Sequence, residues 1–126
     1  MGESAATNLL LVDDEPNIRI TLQLLLEQHG FSVRTAADLK EAKALISTHD
    51  FDVLISDLNI SSEADGFDVI RVMRAHRPQC LNFILTGFPG FDSAVEGIRE
   101  QIADYFVKPI AIEDLVRGIK TKLKSM

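Results

Sequence analysis

The sequence predicts an α/β fold: a doubly wound parallel sheet with helices on both faces. Short apolar runs alternate with longer stretches of helical period, the pattern of repeated β–α–β units. The runs are continuously apolar, as in "LLLV" and "VLI", which is what strands buried on both faces require. Turn signals part the elements: Gly30, Arg77-Pro78, "GFPG" at 87–90 and Lys108-Pro109.

Taken in order, the strand candidates are Leu9–Val12, Ser32–Ala36, Val53–Ser56, Leu81–Leu85 and Ala103–Val107. Between and after them fall five helical stripes. The first, Ile18/Leu22/Leu25/His29, starts clearly: Asp14 or Glu15 can cap it, and Pro16 suits a first helical position whose N–H would be unpaired anyway. The second is Leu39/Ala42/Ile46/His49; the third, Phe67/Ile70/Met73, has its apolar arc spread by Val69 and Val72. The fourth is Val95/Ile98/Ile102, and the fifth Ile112/Leu115/Val116/Ile119/Leu123. Right-handed crossovers bring every strand's C-terminus to one edge, and ligands of such sheets bind outside that edge.

The chain has 126 residues, enough for one domain with its own core. A net charge of −6 argues against a general nucleic-acid binder, which needs a basic footprint. Arg117, Lys120, Lys122 and Lys124 crowd the C-terminal end, either as a solvated helix end that suits the dipole or as a lead-in to a partner. Cys80 is alone, so no internal disulfide forms, and it reads as a small core residue. His29, His49 and His76 are too scattered to form a metal cluster. "MGESAATN" is neither a signal peptide nor a myristoylation motif, and no apolar run is long enough for a membrane span. The expectation is a soluble, cytoplasmic chain with no membrane partner and no direct nucleic-acid binding.

The chemistry lies in what ends each run. The first ends in Asp13 and Asp14, the third in Asp57, the fourth in Thr86 and the fifth in Lys108. The topology gathers these at one edge. Unit charges ~4 Å apart repel by about 4 kcal/mol at an effective dielectric of ~20, so the acids want a cation. Their oxygens suit a hard divalent ion, Mg²⁺ or Mn²⁺. Lys108 is a point charge for a phosphate oxygen, Thr86 offers a hydroxyl, and an Asp carboxylate can act as a nucleophile toward phosphorus.

"LLVDDE", "VLISDLN", "FILTG" and "DYFVKP", in that order and spacing, resemble the receiver domain of two-component response regulators over about Leu9 to Leu123. The resemblance implies a single receiver domain over 1–126, with its core at about 8–124 and no output domain in this chain. It implies five strands in the order 2-1-3-4-5, a flavodoxin-like arrangement. It implies Asp57 as phosphoacceptor, Asp14 as a direct Mg²⁺ ligand, Asp13 as the acid reaching the metal through water, and the Asn59 backbone carbonyl as the further ligand. Thr86 matches the hydroxyl that follows the phosphoryl group, Gly87 the small residue beside it, Lys108 the phosphate-binding lysine, and Pro109 a proline that the family often holds cis. Tyr105 matches an aromatic switch, with an ordinary half-exposed strand tyrosine as the alternative.

The loop "NISSEADG" departs from the pattern, with Ser61 where proline is usual and Gly66 one place late. Asn59 and Phe88 hold the positions that, in the family it resembles, tune water access to the aspartyl phosphate, and bulky Phe88 would be expected to slow hydrolysis. Ile20 and Leu24 lie opposite the core stripe of the first helix and are expected to be exposed; the resemblance implies that they dock a histidine kinase or histidine phosphotransfer protein, with incidental exposure as the alternative. The responsive surface is expected to be the fourth helix, fifth strand and fifth helix, with Gly97 weakening the fourth helix by ~1 kcal/mol.

The resemblance thus implies not a conventional enzyme but a signalling phosphoacceptor that catalyses its own phosphorylation and dephosphorylation. A small Asp/Mg²⁺-dependent phosphatase of the haloacid dehalogenase type is the alternative, yet it wants Asp-x-Asp after the first strand, and Asp50-Phe-Asp52 precedes a strand instead. A mononucleotide binder wants a hydroxyl- or glycine-rich loop where "DDEPN" stands. A degenerate receiver, acting only as an interaction module, would need Asp57 to be unreactive.

Overall fold

The computed structural model describes residues 6–58, 60, 66–87 and 90–125, with the side chains of 91–94 left aside. Its elements are β1 (Thr7–Val12), α1 (Pro16–Gln28), β2 (Phe31–Ala36), α2 (Leu39–Thr48), β3 (Val53–Ser56), α3 (Gly66–His76), β4 (Leu81–Thr86), α4 (Phe91–Arg99), β5 (Asp104–Val107) and α5 (Ile112–Lys124). The strands form one parallel sheet in the order β2-β1-β3-β4-β5. Strand limits lie within two residues of those read from the sequence, the usual uncertainty of element ends.

Side-chain alternation along the strands divides the core into two layers. Leu10, Val12, Leu54 and Ile84 face α2 and α3, where Ala42, Ile46, Phe67, Ile70 and Met73 cover them. Leu9, Leu11, Val53, Ile55, Phe83 and Leu85 face α1 and α5, under Leu26, Leu115, Val116 and Ile119. Each fully buried aliphatic is worth about 2 kcal/mol. Cys80 sits in the first layer, as expected of a small core residue. No described helix is long and apolar enough to cross a membrane.

Three local expectations are corrected. Glu15 occupies the cap position of α1 but makes no side-chain cap bond; the Asp13 carboxylate accepts the Glu15 N–H instead, at 2.9 Å. The buried residue of α1 is Leu26; of the expected stripe Leu22 packs against the core as a half-buried residue, and all three of Ile18, Leu22 and Leu25 border an open groove. In α4, Ile98 is 79% exposed, not core. The helix turns Gly97 inward, and Ile98, about 100° further round, faces out. Gly97 therefore has a packing reason: a Cβ there would lie 2.9 Å from Ile102 Cδ1.

An acid cluster at the carboxyl edge of the sheet

The acids and the lysine stand one or two residues beyond their strands, and their amides extend the sheet's ladder. Asp13 N–H donates to the Ala36 carbonyl at 3.1 Å, Asp57 N–H to the Val12 carbonyl at 2.9 Å, and Lys108 N–H to the Thr86 carbonyl at 2.8 Å. The backbone thus sets the edge before any side chain acts. Asp13, Asp14 and Asp57 each place a carboxylate oxygen within 4.8 Å of the others. Asp13 and Asp57 are buried, whereas Asp14 is exposed.

The Lys108 ammonium bridges the two buried acids, donating to Asp13 Oδ2 at 2.9 Å and Asp57 Oδ2 at 3.0 Å. Burial pushes its pKa down, but the hydrogen bonds and negative charges of Asp13 and Asp57 outweigh that and hold it above the ordinary lysine value. Thr86 is fully buried at the end of β4. Gly87 follows it, and a Cβ there would lie 4.0 Å from Lys108 Cβ, so this residue borders the lysine. The Lys108–Pro109 peptide is cis. Tyr105 is half-buried against the α2–α3 layer, in register with Ile84. Asn59, Ser61 and Phe88 lie outside the described residues.

Two contributors went unread in the sequence. Arg19 Nη1 donates to the Asp13 backbone carbonyl at 2.7 Å, so a guanidinium braces the acid loop from behind. Its signal was a cation near the N-terminal end of a helix, where the dipole disfavours one. Ser56 is the other: its buried hydroxyl lies 3.3 Å from the Asp57 carbonyl and 3.4 Å from the Gly66 carbonyl. With Gly66 N–H bonded to the Leu58 carbonyl at 3.0 Å, it ties the base of the loop that follows Asp57. Asp50 and Asp52 lie at the opposite, amino-terminal edge, where Asp52 accepts the Asn8 N–H and Asp50 pairs with Arg77.

The cluster presents oxygen donors and one bridging ammonium, a set suited to a hard divalent cation and to anionic oxygens. Ile20 and Leu24 are 62% and 56% exposed on α1.

Comparison with known proteins agrees with the fold that carries these residues. The solved CheY-like receiver domain protein of Methanospirillum hungatei JF-1 is similar to this chain with a TM-score of 0.90 at 26% identity, covering 95% of each chain. The chemotaxis protein CheY4 of Vibrio cholerae has a TM-score of 0.85 at 30% identity, covering 93% of this chain and 98% of its own. The alginate biosynthesis transcriptional regulatory protein AlgB of Pseudomonas putida is 39% identical over 116 residues, 90% of this chain and 26% of that protein. The photosynthetic apparatus regulatory protein RegA of Cereibacter sphaeroides is 30% identical over 122 residues, 97% of this chain and 66% of its own. The chain therefore spans about a quarter of the alginate regulator's length and about two-thirds of RegA's. The family model described as the response regulator receiver domain matches residues 9–120, from β1 into α5, and the chain belongs to that family, the receivers of two-component systems.

Proposed function

We propose that this receiver accepts a phosphoryl group on Asp57 from the phosphohistidine of a histidine kinase or histidine phosphotransfer protein. The observation that carries the reading is the Lys108 ammonium held between Asp13 and Asp57 inside an oxygen cluster. A carboxylate needs no general base, being unprotonated at neutral pH. An Asp57 carboxylate oxygen attacks phosphorus; the P–O bond forms as the P–N bond breaks, and that bond's electron pair stays on the departing imidazole nitrogen. Lys108 neutralises a phosphoryl oxygen, and the Thr86 hydroxyl donates to another. Hydrolysis reverses the modification: water attacks phosphorus, the P–O bond to Asp57 breaks, and inorganic phosphate leaves a free carboxylate.

Asp13, Asp14 and Asp57, with the Asn59 carbonyl, would hold the metal. Mg²⁺ or Mn²⁺ bound there supplies positive charge to the transferring phosphoryl oxygens. Arg19 and Ser56 keep the acids in place through their backbone carbonyls.

The donor protein docks on α1. The support is the exposed pair Ile20 and Leu24 together with an open groove of about 600 Å³. That groove runs from Ile18, Leu22 and Leu25 past Pro109 and Ile110 to Lys108, so apolar contact leads to the acid cluster. The altered surface is the α4–β5–α5 face, with Thr86 and Tyr105 relaying the change.

The test is intact mass after treatment with acetyl phosphate and Mg²⁺. The native chain is expected to gain one phosphoryl mass and Asp57→Asn to gain none. An unchanged native mass, or a gain at another residue in both, refutes the assignment.

A further inference from the structure

The described half of α4 has no large buried side chain of its own. Val95 is half-buried, Ile98 and Arg99 are exposed, and the inward contact is Gly97. A Cβ at that glycine would meet Ile102 at 2.9 Å and Tyr105 Cδ2 at 3.9 Å, so Gly97 brings the helix close over Tyr105.

Its polar attachment is far richer. Arg71 of α3 uses three nitrogens on three carboxylates: Nε on Glu100 Oε2 at 3.1 Å, Nη1 on Asp68 Oδ1 at 3.0 Å, and Nη2 on Glu96 Oε2 at 2.7 Å. Arg74 donates to the other Glu100 oxygen at 3.0 Å. Glu100, just past α4, is only 14% exposed and holds an arginine on each oxygen. A lone exposed ion pair is worth at most about 1 kcal/mol. A forked guanidinium shared by several carboxylates is a different case, because the charge-assisted bonds fix one another's geometry. Pulling α4 away from α3 would part Glu96 and Glu100 from these cations and break all three charge-assisted bonds between the helices at once.

We propose that Arg71 and Arg74 with Glu96 and Glu100 form an electrostatic latch that holds α4 down on α3 and restrains phosphorylation of Asp57. The restraint reaches the site through residues already described: Gly97 sits on Tyr105, and Tyr105 precedes Lys108, the cation on Asp57, along the same strand and loop. The latch rests on the reading of Asp57 as phosphoacceptor for its second half only.

Backbone hydrogen exchange on the unphosphorylated protein tests the first half. Arg71→Met with Arg74→Met keeps the aliphatic stems and removes the charges. Amides of α4 are expected to exchange about tenfold faster in this variant, equivalent to about 1.4 kcal/mol. Amides of α1 should be unchanged, which shows that the fold persists. Raising NaCl to about 1 M, where screening acts within about 3 Å, should speed α4 exchange in the native chain and leave the variant's unaltered. Equal α4 exchange in both proteins overturns the latch. The same pair is then compared for the rate of capture from acetyl phosphate, expected several-fold faster in the variant. A loosened α4 with an unaltered capture rate overturns the link to Asp57. No capture by the native chain instead sinks the phosphoacceptor reading and leaves the latch to be judged on exchange.

Discussion

Gly66 packs so closely beneath Asp57 that a Cβ at that position would lie 2.3 Å from the Asp57 carbonyl oxygen. The obstacle is backbone, which cannot rotate away. Gly66→Ala is therefore expected to cost about 3 kcal/mol and to displace the carboxylate it supports. Gly97→Ala is the contrast. Its Cβ would meet the tip of Ile102, a flexible group, and alanine gains about 1 kcal/mol of helix propensity, so the net change should be small. Chemical denaturation of both variants checks the pair; equal destabilisation would refute the distinction.

The sheet and its edge were legible because period, strand composition and turn residues all agreed. Five apolar runs and the polar residues that end them placed Asp13, Asp14, Asp57, Thr86 and Lys108 at one edge. What the sequence concealed were close approaches and backbone braces. Ile98 counts as apolar in any periodic reading, yet it faces out, and Gly97 takes the inward position, where even a Cβ would press on the tip of Ile102. Arg19 and Ser56 act through carbonyls, and a carbonyl leaves no mark on residue identity. Arg71 carries no sequence signal of its role, since its partners Glu96 and Glu100 are distant in sequence.

Metal binding should stabilise the fold measurably. A ligand at about 100 times its Kd adds about 2.7 kcal/mol, or about 10 °C in Tm for a chain of this size. Thermal unfolding with Mg²⁺ and with EDTA checks this. Lys108→Met should lose about 2–3 kcal/mol without metal, since Asp13 and Asp57 would then face each other without their ammonium. Its Mg²⁺-dependent gain should exceed the native one. A smaller gain would mean that the lysine and the metal do not share these oxygens.

At alkaline pH two groups should act in the same direction. Lys108 titrates above its ordinary value of 10.5 in the folded state, so its contribution is complete below that value and fades as pH rises through the folded pKa. The Cys80 thiol is pushed up from 9.0 to about 12, chiefly by burial and further by the charge of Asp52. Above pH 9.0 the unfolded thiol ionises while the folded one keeps its proton, so the folded state loses ground as pH climbs toward about 12. Denaturation midpoints across this range should fall for the native chain and fall less for Cys80→Ala. In the native fold near neutral pH, Cys80 should also react with a thiol reagent far more slowly than in denaturant.

The docking face on α1 gives the sharpest separation of chemistry from recognition. Ile20 and Leu24 are exposed and belong to neither core layer, so replacing them should leave the fold and the acid cluster unchanged. A double Ile20→Glu, Leu24→Glu variant buries no new charge in the free protein, but places two carboxylates in an apolar contact whenever a helical donor docks. Each would be desolvated without a partner, at a cost of several kcal/mol. Phosphoryl transfer from a histidine-containing donor protein should therefore slow by about 100-fold or more, since every 1.4 kcal/mol is tenfold. Acetyl phosphate needs no such surface, and its rate of reaction with Asp57 should stay within about twofold of native. Parallel time courses with the two donors measure both. Equal slowing with the two donors would place the defect at the acid cluster and remove α1 as the docking face.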